Sequence, residues 1–210
     1  MTVIVRHLGM QEYSQVWQQM TSFNQQRNQH TRDEIWLLQH PPVFTLGLNG
    51  KKEHVIDAGG IPLVETDRGG QVTYHGPGQL IAYILFDLRR RKEGVRHIVS
   101  RLEQSVIDYL AAKNISAKGR KDAPGVYVDN EKIAALGLRV RQGGCYHGLS
   151  LNVDMDLTPF EQINPCGFPG LKVTSMGKLG LEETVEQAMQ DYLLFLCRQF
   201  AIDEITEIHD

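Results

Sequence analysis

Hydrophobic positions along this chain switch repeatedly between two periods. Residues 3–5, Val-Ile-Val, begin it as a short strand. Met10, Tyr13, Val16, Trp17, Met20 and Phe23 then recur at helical spacing, with glutamine and asparagine on the other face, and the pattern fades by Arg27. Residues 34–39 predict a buried strand that His40-Pro41-Pro42 stops, because proline donates nothing to a ladder. Extended structure resumes over 43–47, turns follow at Asn49-Gly50 and Gly59-Gly60, and residues 61–65 predict a second buried strand. Residues 80–87, Leu-Ile-Ala-Tyr-Ile-Leu-Phe-Asp, are the most apolar segment and predict a central strand buried on both faces. Val95, Ile98, Val99, Leu102, Val106, Tyr109 and Leu110 keep a helical stripe that ends at Lys113-Asn114.

The later chain predicts an antiparallel meander. Residues 125–128 and 132–140 are joined by a tight turn at Asp129-Asn130, and 145–153 follow a second turn at Gly143-Gly144. Asp156 is placed to cap a short helical turn with Pro159 near its start. A last helix is predicted over 181–200, with Thr184 and Gln187 spaced as a capping box. No repeat, low-complexity tract or linker divides the chain. Helices are interspersed with hairpin-connected strands, which points to a single α+β domain over residues 1–210 built on a mixed sheet rather than a doubly wound fold.

Composition narrows the function classes. At 41% hydrophobic and 22% charged, the 210 residues are ordinary for a soluble domain, and a formal net charge of −3 gives no reason to expect a nucleic-acid partner. No apolar run approaches the roughly 18 residues of a membrane span. The first residues, Met-Thr-Val-Ile-Val-Arg, lack a signal-peptide pattern, which favours the cytoplasm. Cys145, Cys166 and Cys197 have no CxxC spacing and are expected to be reduced thiols. The basic run Arg89-Arg90-Arg91-Lys92 is either a solvated face or a docking patch for an acidic partner.

Two stretches carry chemistry. Arg68-Gly69-Gly70-Gln71-Val72-Thr73-Tyr74-His75-Gly76-Pro77-Gly78-Gln79 packs four glycines and a proline into a short segment, a density that calls for positive φ angles or close approach of main chain to something bound. It matches neither GxGxxG nor GxxxxGK[ST], so dinucleotide and P-loop binding are not supported. In Asn164-Pro165-Cys166-Gly167 a cysteine sits on a constrained turn. It is either an inert small hydrophobe or a nucleophile. A nucleophilic cysteine needs a cation or base beside it, since a thiol with a pKa of about 8.5 is mostly protonated at neutral pH. Lys132, His75 and His147 are the candidates, although spacing alone favours a structural role for each. No zinc-type Cys/His spacing is present, so no metal ligands are expected.

Taken together, Asp33-Glu-Ile-Trp36, His40-Pro-Pro-Val-Phe-Thr45, the 68–79 stretch, Asp122-Ala-Pro-Gly-Val-Tyr127, Lys132-Ile-Ala-Ala-Leu-Gly-Leu138, His147-Gly-Leu-Ser-Leu-Asn152 and Asn164-Pro-Cys-Gly167 fall in order. This sequence closely resembles the bacterial octanoyltransferases of lipoate biosynthesis over nearly its whole length. The resemblance implies the α/β domain shared by biotin protein ligases and lipoate-protein ligases. It implies transfer of an octanoyl group from octanoyl-acyl carrier protein to a lysine on lipoyl domains of 2-oxoacid dehydrogenase E2 subunits and of the glycine cleavage H protein. Neither ATP nor a metal is implied, and a monomer is expected. Carried over position by position, Cys166 matches the acyl-thioester nucleophile and Lys132 the catalytic lysine. Arg68, Gly69, Gly70, Gln71, Val72, Thr73, Tyr74 and His75, with Ala135, Leu136, Gly137, Gly148, Leu149 and Ser150, match the acyl-substrate segments. His75 is left with a choice between holding Lys132, holding the acyl carbonyl, or ordering its loop. Two rivals stand beside this reading. An ATP-dependent lipoate-protein ligase is disfavoured because Gly-Gly-Gln-Val-Thr-Tyr-His replaces the Ser-Gly-Gly-Gly-type run expected there. A catalytically silent binding module is disfavoured by the intact Cys166 and Lys132.

Overall fold

The computed structural model describes residues 2–120 and 122–209. Strand β1 (Thr2–Met10) leads to helix α1 (Tyr13–Gln26), then β2 (Asp33–Gln39) and β3 (Val43–Leu46). β4 (Leu63–Glu65), β5 (Val72–His75) and β6 (Gln79–Asp87) follow, and a one-turn helix α2 (Leu88–Arg91) precedes the long α3 (Val95–Ala112). The meander comprises β7 (Lys118–Gly119), β8 (Val126–Val128), β9 (Glu131–Arg141) and β10 (Gly144–Asn152). Helix α4 (Val185–Gln199) and strand β11 (Glu204–His209) complete the chain.

Among the described residues, eight strands form one mixed sheet in the order β11-β1-β2-β6-β10-β9-β8-β7, and three form a smaller sheet, β4-β3-β5. β11, β1 and β2 run parallel, and from β2 onward every neighbouring pair is antiparallel. β6 lies inside the sheet between β2 and β10. Its Leu80, Ala82, Ile84 and Phe86 meet the α3–α4 side, while Ile81, Tyr83 and Leu85 meet α1 through Val16 and Met20. That two-sided burial is why its sequence is apolar without alternation. The small sheet carries a third core of Phe44, Leu46, Val72, Tyr74, Phe160 and Ile163.

Local expectations meet several corrections. Met10 ends β1 and is 47% exposed, so the α1 stripe starts at Tyr13 rather than at Met10. Residues 61–65 are not a buried strand, because only 63–65 pair, at the edge of the small sheet, and Leu63 is exposed. The last helix starts at Val185, where Thr184 and Gln187 form a reciprocal capping box, and not at 181. Asp156 lies one residue before the N-cap Leu157 of a short 3₁₀ turn and accepts from the Thr158 N–H at 2.9 Å. The basic run is solvated only in part: Asp87 caps α2, Arg89 and Lys92 are exposed, Arg90 reaches Asp33 from a position 38% exposed, and Arg91 alone is buried against that carboxylate. β7 and β11 were invisible to periodicity because they are short or mostly exposed.

Candidate active site

The site forms where the small sheet and the 68–71 loop lie over β9 and β10. The loop is held down by its own main chain: the Gly69 N–H donates to the Leu138 carbonyl at 3.0 Å. A side chain at Gly148 would drive into the Ala82 carbonyl, so this glycine serves the close pairing of β10 with β6. Between loop and sheet lies a cavity with about 460 Å³ of atom-free space, part of it open to solvent.

Most of the predicted acyl-segment residues line this one cavity. Arg68, Gly70, Gln71, Val72, Thr73 and His75 contribute from the loop and β5, and Ala135, Leu136, Gly137, Gly148, Leu149 and Ser150 from the sheet. Cys166 lines it as well. Gly69 and Tyr74 do not. Gly69 faces the β9 backbone, and Tyr74 falls on the far side of β5, its ring centroid 5.5 Å from those of Phe44, tilted, and Phe160, edge-on. The strand period of two sends Thr73 and His75 one way and Tyr74 the other.

Cys166 occupies a left-handed backbone conformation, φ 57° and ψ 18°, in a 3₁₀ turn spanning Pro165–Gly167. A non-glycine residue in that region costs about 1–2 kcal/mol and here sets the direction of the side chain. The turn is fastened by Asn164 N–H to the His54 carbonyl at 2.7 Å. Lys132, near the start of β9, is buried to 3% exposure, and its Nζ donates to Cys166 Sγ at 2.8 Å and to the Pro124 carbonyl at 3.0 Å. The Tyr127 ring lies 5.2 Å below the ammonium, a cation–π position. Gly125, at φ +146°, leaves the room the lysine stem needs, because a Cβ there would stand 2.9 Å from Lys132 Cε and 2.7 Å from the Ala134 carbonyl. The spacing of Asp122-Ala-Pro-Gly before Lys132 thus has a steric cause. The other two thiols are placed differently: burial pushes Cys145 up to about 12 and Cys197 up to about 11.

His75 does not hold Lys132. Gln79 donates through Nε2 to the Tyr74 carbonyl and to Asn152 Oδ1, so its Oε1 is the acceptor for His75 Nδ1–H at 2.7 Å. His75 Nε2 lies 3.4 Å from Thr45 Oγ1, which also accepts from Arg68. Burial drives His75 well below the ordinary imidazole range, so the ring is neutral, and its bond to Gln79 orders the loop. The chain of bonds continues: Asn152 Nδ2 donates to the Thr174 carbonyl, and the Thr174 N–H donates to the Lys132 carbonyl, both at 2.9 Å. One buried network therefore ties the glycine-rich stretch to the backbone of Lys132. The Arg68 guanidinium is fully engaged as a brace, donating to Thr45 Oγ1, the Thr45 carbonyl and the Gly69 carbonyl.

Asp67, Tyr13 and Tyr83 also belong to the site and had no motif to mark them. Asp67 accepts from Trp17 Nε1 at 2.8 Å, from the Tyr146 hydroxyl and from His147 Nε2 at 3.2 Å. Burial raises its pKa, but the hydrogen bonds from His147, Tyr146 and Trp17 outweigh that and hold the carboxyl well below its usual range. Tyr13, Tyr83 and His147 line the cavity. Tyr83 bonds through its hydroxyl to His40 Nε2 at 2.8 Å, while His40 Nδ1 bonds to the Gln11 carbonyl at 2.6 Å. A tyrosine inside a strand buried on both faces needs such a partner, which is the one signal that could have singled out Tyr83.

Comparison with known proteins agrees with this geometry. The family model for the lipoyl protein ligase A/B catalytic domain matches residues 12–195. An octanoyltransferase of Chromobacterium violaceum is 54% identical over 203 residues, covering 97% of this chain and 98% of its own. One from Thiobacillus denitrificans is 60% identical over 186 residues, covering 89% and 85%. Among solved structures, a lipoate-protein ligase A bound with ATP superposes with a TM-score of 0.83 at 13% identity, over 100% of this chain and 90% of that one. A biotin protein ligase from Aquifex aeolicus does so at 0.56 and 11% identity, over 96% and 69%. At those identities the structural neighbours establish the fold alone. The relatives in sequence go further: this chain belongs to the octanoyltransferases of the lipoyl protein ligase A/B catalytic-domain family.

Proposed function

We propose that the protein moves an octanoyl group from octanoyl-acyl carrier protein, through a thioester on Cys166, to a lysine of lipoyl domains in 2-oxoacid dehydrogenase E2 subunits and the glycine cleavage H protein. The observation that carries this reading is the Lys132 Nζ donor 2.8 Å from Cys166 Sγ, beside a cavity walled by Leu136, Leu149 and glycine main chain. Each methylene of an acyl tail buried there is worth about 0.8 kcal/mol.

The proton inventory closes over one cycle. Cys166 starts as thiolate with Lys132 as ammonium. The sulfur attacks the donor thioester, the new C–S bond forms, and the carrier's sulfur leaves with a proton from Lys132. Exchange of one thioester for another is nearly balanced, so the step requires no ATP. Lys132 is now a neutral amine. It takes the proton of the acceptor lysine as that nitrogen attacks the acyl carbon, the C–N bond forms, and Cys166 leaves as thiolate. In this scheme peptide N–H groups of the glycine segments receive the oxyanion. Arg68, Thr45 and His75 fix the wall rather than react. We place this activity in the cytoplasm and in a monomer, where three free cysteines are at home. No helix among the described residues is long and apolar enough to cross a membrane.

Mixing the protein with octanoyl-acyl carrier protein is expected to give a hydroxylamine-labile octanoyl adduct on Cys166, seen by mass spectrometry, and to octanoylate a lipoyl domain without nucleotide. An adduct formed by Cys166→Ala at the wild-type rate overturns the nucleophile, and turnover only when ATP is added overturns transfer in favour of ligation.

A further inference from the structure

The far edge of the main sheet carries a side-chain cluster that the transfer chemistry does not use. β11 pairs in parallel with β1, and the register sets His7 opposite His209 and Val5 opposite Glu207. Side chains two apart on a strand share a face, so Glu207 and His209 project beside His7. The rings of His7 and His209 stack 4.5 Å apart at 13°. That is about the strand spacing of 4.7–4.9 Å, so the backbone pairing fixes it. His7 Nε2 lies 2.8 Å from Glu207 Oε2. One nitrogen from each histidine and one carboxylate oxygen all fall within 4.8 Å of one another.

We propose that His7, Glu207 and His209 bind a divalent transition-metal ion of the zinc class. Two imidazoles and one carboxylate form a donor set suited to zinc, nickel or copper rather than to calcium or magnesium, which take oxygen alone. Ligand atoms around tetrahedral zinc, at about 2.0–2.2 Å from the metal, stand about 3.4 Å apart. The cluster has to contract by at most about 1.4 Å to reach that distance, and the stacked rings have to tilt so that both nitrogens aim at one point; the side chains of His7 and Glu207 are 18% and 45% exposed. Three protein ligands leave a fourth position for water. The ion would join residues 200 positions apart in sequence and fasten an edge strand whose residues are otherwise exposed or half-buried. An ion that closes so long a loop, and binds the folded chain alone, raises stability by mass action.

The test is calorimetric titration of Zn²⁺ into protein freed of metal with EDTA. The parent carries Cys166→Ala, so that the active-site thiol contributes nothing. One ion is expected per chain, and at roughly a hundredfold excess over Kd the thermal midpoint is expected to rise by about 5 °C or more. His209→Ala, at an exposed position, is expected to weaken binding at least tenfold and to cut the midpoint shift by half or more. The same substitution with Cys166 intact is expected to leave octanoyl transfer unchanged. Absence of stoichiometric binding, or equal affinity in a variant carrying both His7→Ala and His209→Ala, overturns the site. If His7→Ala does not fold, His209→Ala with Glu207→Gln gives the same decision.

Discussion

Gly125 decides how Lys132 meets Cys166. Its φ is +146°, and a Cβ at this position would stand 2.9 Å from Lys132 Cε, so any larger residue displaces the lysine stem or bends the turn. Gly125→Ala is expected to slow formation of the acyl adduct at least tenfold in single-turnover assays, because a reacting group moved by about an ångström loses on that order or more. The strained φ adds a loss of stability of about 1 kcal/mol or more, visible as a lower thermal midpoint. An adduct formed at the wild-type rate would remove the steric account of this glycine. Cys166 shows the same logic from the other side: its left-handed φ is the local distortion that aims the sulfur at Nζ. The cysteine was legible in the sequence as unusual, set between proline and glycine, whereas Gly125 read as the first residue of a strand. The meeting of lysine and cysteine was not legible, because 34 residues separate Lys132 from Cys166 and no periodicity spans them.

Helix α2 is too short to stand by propensity, and it is held by what its arginines reach. Asp33, at the start of β2, accepts from Arg27, Arg90 and Arg91 and from the Asp87 N–H. Asp33, Arg27 and Arg91 are 2%, 6% and 4% exposed, so this is a buried ion cluster that joins α1, α2 and the β2–β6 pair. The Arg91 guanidinium also lies 3.8 Å over the Phe86 ring. Removing the one carboxylate leaves buried cations uncompensated, and Asp33→Ala is expected to destabilise the protein by about 3–5 kcal/mol in urea unfolding. A loss under about 1 kcal/mol would show that the arginines re-solvate freely. A run of arginines in sequence reads as solvated for good reason, since most are. Arg91 departs from that reading because of an aspartate more than fifty positions upstream, brought close by strand pairing. β6 behaved oppositely: its apolar run foretold a strand buried on both faces, and the two cores on either side of it supply the reason.

Across the whole molecule, three buried histidines around the cavity couple stability to pH in one direction. Burial lowers His40 to about 4 from an unfolded value near 6.5, and lowers His75 and His147 as well. Between those limits the unfolded chain binds more protons than the folded one, so stability is greatest above pH 6.5 and falls as pH drops toward 4. The His40 shift alone corresponds to ~3 kcal/mol over that window. Asp67, held low by its three donors, loses its contribution only at still lower pH and with the same sign. Urea midpoints measured from pH 7.5 to 5 are expected to decline steadily, and a flat profile would mean that these rings are charged or solvated in the folded state.

The sequence by itself determined the element types, the central strand and the segments that gather at the site, because burial periodicity and turn chemistry are local. It also carried the family, since motifs in register are a property of the chain as written. The tertiary structure alone decided which side chains of those segments face the cavity and which, like Tyr74, face away. It decided that Arg68 braces Thr45, that His75 orders its loop through Gln79, and that Asp67 collects Trp17, Tyr146 and His147. These are contacts across long sequence separations, fixed by strand register and by the demand that every buried polar group find a partner. Neither constraint leaves a trace in local spacing.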